Sequence, residues 1–173
     1  MDILTGKTLL FTDIHFGLKQ NAVSRLNICV KVVKQMLEKI KEENIQNVIF
    51  GGDLYHERVS VNVNTLNVAL KCMQAIAKHC KTYLVVGNHD AHYKNSVEVN
   101  SLNMFKDTKN ITVVEKPTEI ELNGSKMLLC PWLSDLFAYK KETYDFLVGH
   151  FDISSKFLIA SYIEDNSKNL QAS

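Results

Sequence analysis

No stretch of the sequence approaches the roughly 18 apolar residues that a membrane-spanning helix requires. The opening segment, MDILTGKTLLFTDIHFG, has neither the basic segment nor the small-residue cleavage site of a secretory signal. The cytoplasm is therefore the expected location, with no membrane among the partners. The four cysteines (Cys29, Cys72, Cys80 and Cys130) form no Cys-x-x-Cys pair. All lie in apolar helix or strand patterns, which fits reduced core thiols rather than a disulfide frame or a zinc site. A strong charge of either sign is also missing. At a net charge of +1 the chain cannot hold nucleic acid by charge alone, so any such contact must rest on local loops or on a metal site. With only two prolines, seven glycines, no repeat and no low-complexity tract, nothing reads as a linker. One domain over residues 1–173 is expected.

What is present is a regular alternation. Lys7 to Thr12 reads as a buried strand. Asn21 is placed to cap a helix running to about Glu43, with Val23, Leu26, Val30, Val33, Leu37 and Ile40 on one stripe. Asn47 to Phe50 is a second strand, ended by Gly51-Gly52. Residues 62–80 form a second helix, with Leu66, Ala69, Leu70, Met73, Ile76 and Ala77 inward. Thr82 to Val86 is a third strand. This βαβ series predicts a parallel sheet covered by helices. A helix over 97–106 and a strand from Ile111 to Val114 are expected next. Asn123-Gly124 between two alternating runs is a strong hairpin signal. Tyr144 to Val148 reads as a further buried strand, and 155–173 starts helical and becomes polar.

The strand ends carry the chemistry. Asp13-Ile14-His15 follows the first strand, Gly52-Asp53 and Tyr55-His56-Glu57-Arg58 the second, and Gly87-Asn88-His89-Asp90 the third. Gly149-His150 follows a later one. Ligands of open α/β sheets bind at the carboxyl ends of strands. These oxygen and nitrogen donors suit divalent ions such as manganese, with zinc and iron also compatible. Alternation along an extended backbone would put Asp13 and His15 on one face. Asp53 has two oxygens and could bridge two ions. Asn88 offers a neutral oxygen to the second, which leaves His89 free to protonate a leaving oxygen.

Taken in order, Asp13-x-His15, Gly52-Asp53, Gly87-Asn88-His89-Asp90 and Gly149-His150 resemble the metallophosphoesterase (calcineurin-like) signature. GGDLYHER followed by VGNHD resembles the SbcD-type DNA repair nucleases. HDAHYKN and Pro131-Trp132 look closest to the phage recombination nuclease subunits of that group. The resemblance implies a four-layer α/β/β/α sandwich. It also implies Asp13 and His15 on one metal, Asp53 bridging, and Asn88 and His150 on the other. His89 would be the acid, His56 would position the phosphate, and Asp90 would orient the His89 turn. It further implies hydrolysis of DNA phosphodiesters with two divalent ions, manganese or alternatively magnesium. The implied partners are DNA, an SbcC-type coiled-coil ATPase and a second copy of the chain, in the host cytoplasm if a phage encodes it.

The family pattern ends in a Gly-His-x-His motif with no counterpart after His150. On this reading the chain is the first half of such an enzyme, its sandwich truncated before the last strands and each metal one ligand short. Other readings stay open: a phosphatase or nucleotide phosphodiesterase on the same fold, or an inactive fragment or binding module. Single residues also have plainer readings. Tyr-His-Glu-Arg could be a solvated helix start. Arg58 and residues 60–64 could touch DNA phosphate or serve as a capping loop, and Lys94 and Asn95 are equally ambiguous. His79 reads as a helix C-terminal histidine, His92 as surface, Trp132 and Tyr139 as core or interface. Lys140-Lys141 reads as part of a solvated face.

Overall fold

The computed structural model describes residues 1–139 and 143–151. Strands β1 (Asp2–Leu4) and β2 (Thr8–Phe11) are followed by a one-turn segment α1 (Leu18–Asn21) and helix α2 (Val23–Glu42). Strand β3 (Asn47–Phe50), helix α3 (Val63–Ala77) and strand β4 (Lys81–Val85) complete a double βαβ unit. Then come β5 (Ala91–Tyr93), β6 (Ser96–Asn100), a 3-10 turn (Ser101–Phe105) and β7 (Ile111–Val114). Strands β8 (Thr118–Leu122) and β9 (Ser125–Cys130), a 3-10 turn (Leu136–Tyr139) and β10 (Phe146–Gly149) follow. The Lys140-Lys141 pair and the helical stretch expected from 155 lie outside the described residues.

Two four-stranded sheets stack face to face. One is wholly parallel, in the order β2-β3-β4-β7; the other is mixed, in the order β1-β8-β9-β10. Two-residue periodicity explains the stacking. Val48, Phe50, Leu84 and Val86 turn toward α2 and α3, where Leu26, Val33, Ile40, Ala69, Met73 and Ile76 meet them. Ile49, Tyr83 and Val85 turn the other way and pack against Leu4, Ile120, Met127 and Leu129 of the mixed sheet. The described residues thus build helix, sheet and sheet layers of the α/β sandwich. Both inner strands are sealed on two faces, so they read as continuous apolar runs. Truncating Ile49 to alanine would cost about 2–5 kcal/mol.

Several expectations need correction. Residues 97–100 are strand, not helix. Ser96–Asn100 pairs antiparallel with β5, and only then does a 3-10 turn begin, capped by the Asn100 side chain on Leu102 N–H at 3.0 Å. The β-branched Val97 and Val99 favour the pleated form, one packed on the core and the other exposed. Asn21 does not cap α2. It sits at φ 61° and accepts from Thr65 Oγ1 at 2.7 Å, while α2 starts after Ala22 with no side-chain cap. Val23 is exposed rather than on the buried stripe. Strand β1 has no counterpart in the sequence reading; its three residues pair with β8. The Asn123-Gly124 hairpin forms as expected, with both residues at positive φ.

Candidate metal centre

The carboxyl ends of β2, β3, β4 and β10 meet at one place. The loops after β2 and β3 are zipped together by backbone. Asp13 N–H donates to Gly52 O (3.0 Å), His15 N–H to Asp53 O (3.1 Å), and Phe16 N–H to Leu54 O (2.8 Å). Strand β10 joins through the His150 ring, whose Nδ1 lies 3.2 Å from Gly51 O. Asp13 and His15 do converge, but not by strand alternation. The strand ends at Phe11, and both residues adopt left-handed φ, 59° and 51°. Asp53 is left-handed as well, at 63°. Non-glycine residues in this region are costly and persist only where surrounding structure holds them. Here three of the expected ligands carry that strain.

The close approach needs glycine. A Cβ on Gly52, itself at φ 113°, would meet Gly87 Cα at 2.9 Å and His150 Nδ1 at 2.7 Å. A Cβ on Gly87 would run into Asp53 N and Oδ1.

Asp53 is the hub. Its side chain is 4% exposed, and its two oxygens face different histidines. Oδ2 lies 3.6 Å from His15 Nε2, and Oδ1 lies 3.5 Å from His150 Nε2. Oδ1 also accepts from His89 N–H at 2.9 Å. His15 Nε2 is 3.3 Å from Asp13 Oδ1. The ligand atoms of Asp13, His15 and Asp53 all lie within 4.8 Å of one another. On the other flank the Asn88 amide lies 2.7 Å from His150 Nε2. Turned with its nitrogen inward, it donates to both Asp53 oxygens and to His150 Nε2.

These residues fit divalent ions. A buried carboxylate needs a compensating positive charge, and no lysine or arginine among the described residues pairs with Asp53. With Nδ1–H given to Gly51 O, the His150 Nε2 lone pair points at Asp53, the tautomer a metal ligand requires.

A second histidine group shares His15. Ligand atoms of His15, His56 and His89 also fall within 4.8 Å of one another. The His56 and His89 rings stack at 5.6 Å between centroids and 13° between planes. His89 Nδ1 lies 2.6 Å from His56 O, so Nδ1 carries hydrogen and Nε2 is the nitrogen that faces outward from this bond. His15 Nδ1 and His56 Nδ1 are buried without partners.

Asp90 does not face this group. Its carboxylate is 1% exposed and accepts four backbone N–H bonds. They come from Asp53 (2.8 Å) and Gly87 (3.0 Å) on Oδ2, and from Leu54 (3.0 Å) and Tyr55 (3.3 Å) on Oδ1. Burial pushes its pKa up to about 6, opposed by the backbone bonds from Gly87 and Tyr55. Asp90 therefore ties the β3 and β4 loops into one frame. Residues the sequence reading passed over also contribute. Thr12 Oγ1 donates to Asp13 Oδ2 at 2.7 Å, and the carbonyls of Gly51 and His56 set two imidazole tautomers. Backbone carbonyls leave no sequence signal.

Of the remaining candidates, Ser60 to Asn62 lead into α3 and Val63 and Asn64 are its first residues: Asn62 Oδ1 accepts from Asn64 N–H at 2.9 Å and caps the helix. His79 is exposed just beyond α3, and Trp132 is buried in the main core.

Residues 6–170 match the family model described as calcineurin-like phosphoesterase. The chain belongs to this family. Among similar proteins, exonuclease subunit 1 of Enterobacteria phage T4 is 30% identical over 156 residues, 86% of this chain and 46% of that protein. A putative phosphoesterase of Invertebrate iridescent virus 6 is 27% identical over 73% of the chain and 44% of that protein. Double-strand break repair protein MRE11 of Homo sapiens is 29% identical over 76 residues, 44% of the chain and 10% of that protein. The chain spans about half the length of the first two. Among solved structures, Pseudomonas putida nuclease MPE matches with a TM-score of 0.46 and 23% identity, covering 71% of this chain and 52% of that one. Among the described residues of this calcineurin-like phosphoesterase, no helix is long and apolar enough to cross a membrane.

Proposed function

We propose that this phosphoesterase is the nuclease subunit of an SbcCD-like repair or recombination complex and hydrolyses DNA phosphodiesters. The observation that carries the reading is Asp53, with one carboxylate oxygen turned to His15 and the other to His150. Asp13, His15 and Asp53 would hold one divalent ion, and Asp53, Asn88 and His150 a second. Such ions, manganese or alternatively magnesium, would supply Lewis acidity and an activated water for in-line attack on phosphorus.

The chain's own residues do the rest. His89 is aimed by its Nδ1–H bond to His56 O, which leaves Nε2 to deliver a proton to the departing 3′ oxygen. His56, stacked beside it, positions the phosphate. Asp90 takes no proton from substrate; it keeps the Asp53 and His89 loops in register. The kinship to a phage exonuclease subunit and to MRE11 favours DNA over a small ester as substrate. It also motivates an SbcC-type ATPase and a second copy of this chain as partners.

The test compares manganese-dependent cleavage of linear duplex DNA with that of a small chromogenic phosphodiester. Cleavage of DNA that falls at least roughly a hundredfold in His89→Ala is expected. Action on the small ester alone would return the reading to a phosphatase or nucleotide phosphodiesterase.

A further inference from the structure

Arg58 has no hydrogen-bond partner among the described residues, and its Nη1 is buried without one. Its guanidinium carbon sits 4.9 Å from the Trp132 ring centroid. An unpaired buried donor on a charged group is costly and needs an explanation.

The position of Arg58 gives its remaining donors a use. Arg58 is two residues beyond His56, so at about 3.8 Å per residue its Cα lies within about 8 Å of that of His56. The Trp132 backbone N–H donates to Val86 O at 2.8 Å, two residues before Asn88. The Arg58–Trp132 pair therefore joins the rim of the β3 loop to the segment entering the β4 loop, beside the metal-ligand cluster. Nη1 is buried without a partner, Nε and Nη2 are not among the buried atoms left without one, and the edge those two form is the fork that meets a phosphate with two parallel bonds. Stacking on indole fixes the guanidinium plane beforehand, so little side-chain entropy remains to be lost on binding.

We propose that Arg58, braced on Trp132, is a substrate-positioning residue that grips a DNA backbone phosphate next to the scissile one. This rests on the nuclease reading above. The groove bordered in part by Trp132 is a poor rival path for DNA: it carries Glu98, Glu115 and Asp135 against Lys116 alone. Glu115 is already committed to Lys106 at 2.7 Å and to Asn100 at 2.8 Å.

The experiment is binding of a fluorescein-labelled duplex across a series of salt concentrations, with calcium in place of manganese to keep the DNA intact. The chain, Arg58→Ala, Arg58→Gln and Arg58→Lys are compared, with thermal midpoints to confirm folding. Glutamine retains the aliphatic stem over Trp132 if alanine fails to fold. Loss of one phosphate contact predicts that the slope of log affinity against log salt shrinks by about 0.9 in Arg58→Ala and Arg58→Gln, with affinity down about tenfold. Arg58→Lys keeps the slope and recovers only part of the affinity, since an ammonium cannot make the fork. Unchanged slopes in folded variants of a chain that binds DNA would overturn the proposal alone. A parent chain that binds no DNA would overturn the nuclease reading and the proposal with it.

Discussion

Asp53 and Asp90 are both buried carboxylates a few ångströms apart in the same loops, yet their surroundings give them different work. Asp53 receives one backbone N–H and otherwise faces the imidazoles of His15 and His150 and the Asn88 amide, all side chains that can share a cation with it. Asp90 receives four backbone N–H groups and has no lone pair to spare. Asp90→Asn puts an amide nitrogen where two of those N–H groups now find oxygen. Two buried donors lose their acceptor, and a loss on the order of 3 kcal/mol is expected by urea denaturation, together with weakened manganese binding. Asp53→Asn should show the reverse pattern, with stability of the metal-free protein nearly kept and metal affinity lost. The roles of Asp13, His15, Asp53, Asn88 and His150 were legible because carboxylate, imidazole and amide types recur after glycine at strand ends. The left-handed backbone that brings Asp13 to His15 was not, since a positive φ is the exception even for Asp and His, which adopt it more often than most residues.

At the scale of elements, the β3 and β4 loops make their closest backbone approach at Gly52 and Gly87. Gly87→Ala must push Asp53 aside, so both stability and metal affinity should fall; overpacking of this kind costs about 1–3 kcal/mol. Calorimetric unfolding with and without manganese separates the two losses. The sheets are latched at their far side by Asp2, which accepts from Tyr83 Oη at 2.6 Å and from Lys81 Nζ at 2.9 Å. The Tyr83 bond, and next the Lys81 bond, hold the Asp2 carboxyl below its ordinary value of 3.8. A carboxyl depressed in the folded state adds stability above 3.8, and that stability disappears as pH falls through the folded value. Tyr83→Phe should therefore cost about 1 kcal/mol at neutral pH, discounted for the exposure of Asp2. The gap between variant and parent should narrow in denaturation curves taken at low pH. Strands β3, β4 and β7 and the hairpin were legible from apolar runs and Asn-Gly. Strand β6 was misread as the start of a helix over 97–106, because pairing with β5, which a short segment does not announce, decides the matter. Strand β1, three residues long, was too short to show a period.

At the scale of the whole molecule, ligands drawn from four strand ends and both sheets make metal binding and folding one equilibrium. An ion that binds the folded chain alone adds about 2.7 kcal/mol at a hundred times its dissociation constant. Manganese should raise the thermal midpoint, and EDTA should return it. Asp13→Ala should blunt the rise without changing the metal-free midpoint by much, since Asp13 is exposed. The most direct test of the account is calorimetric titration of manganese into the chain, alongside Asp53→Asn and His150→Ala. The account predicts about two ions per chain, about one in His150→Ala, and a loss of both tight sites in Asp53→Asn. No saturable binding to the parent, or stoichiometry unchanged by Asp53→Asn, would contradict it.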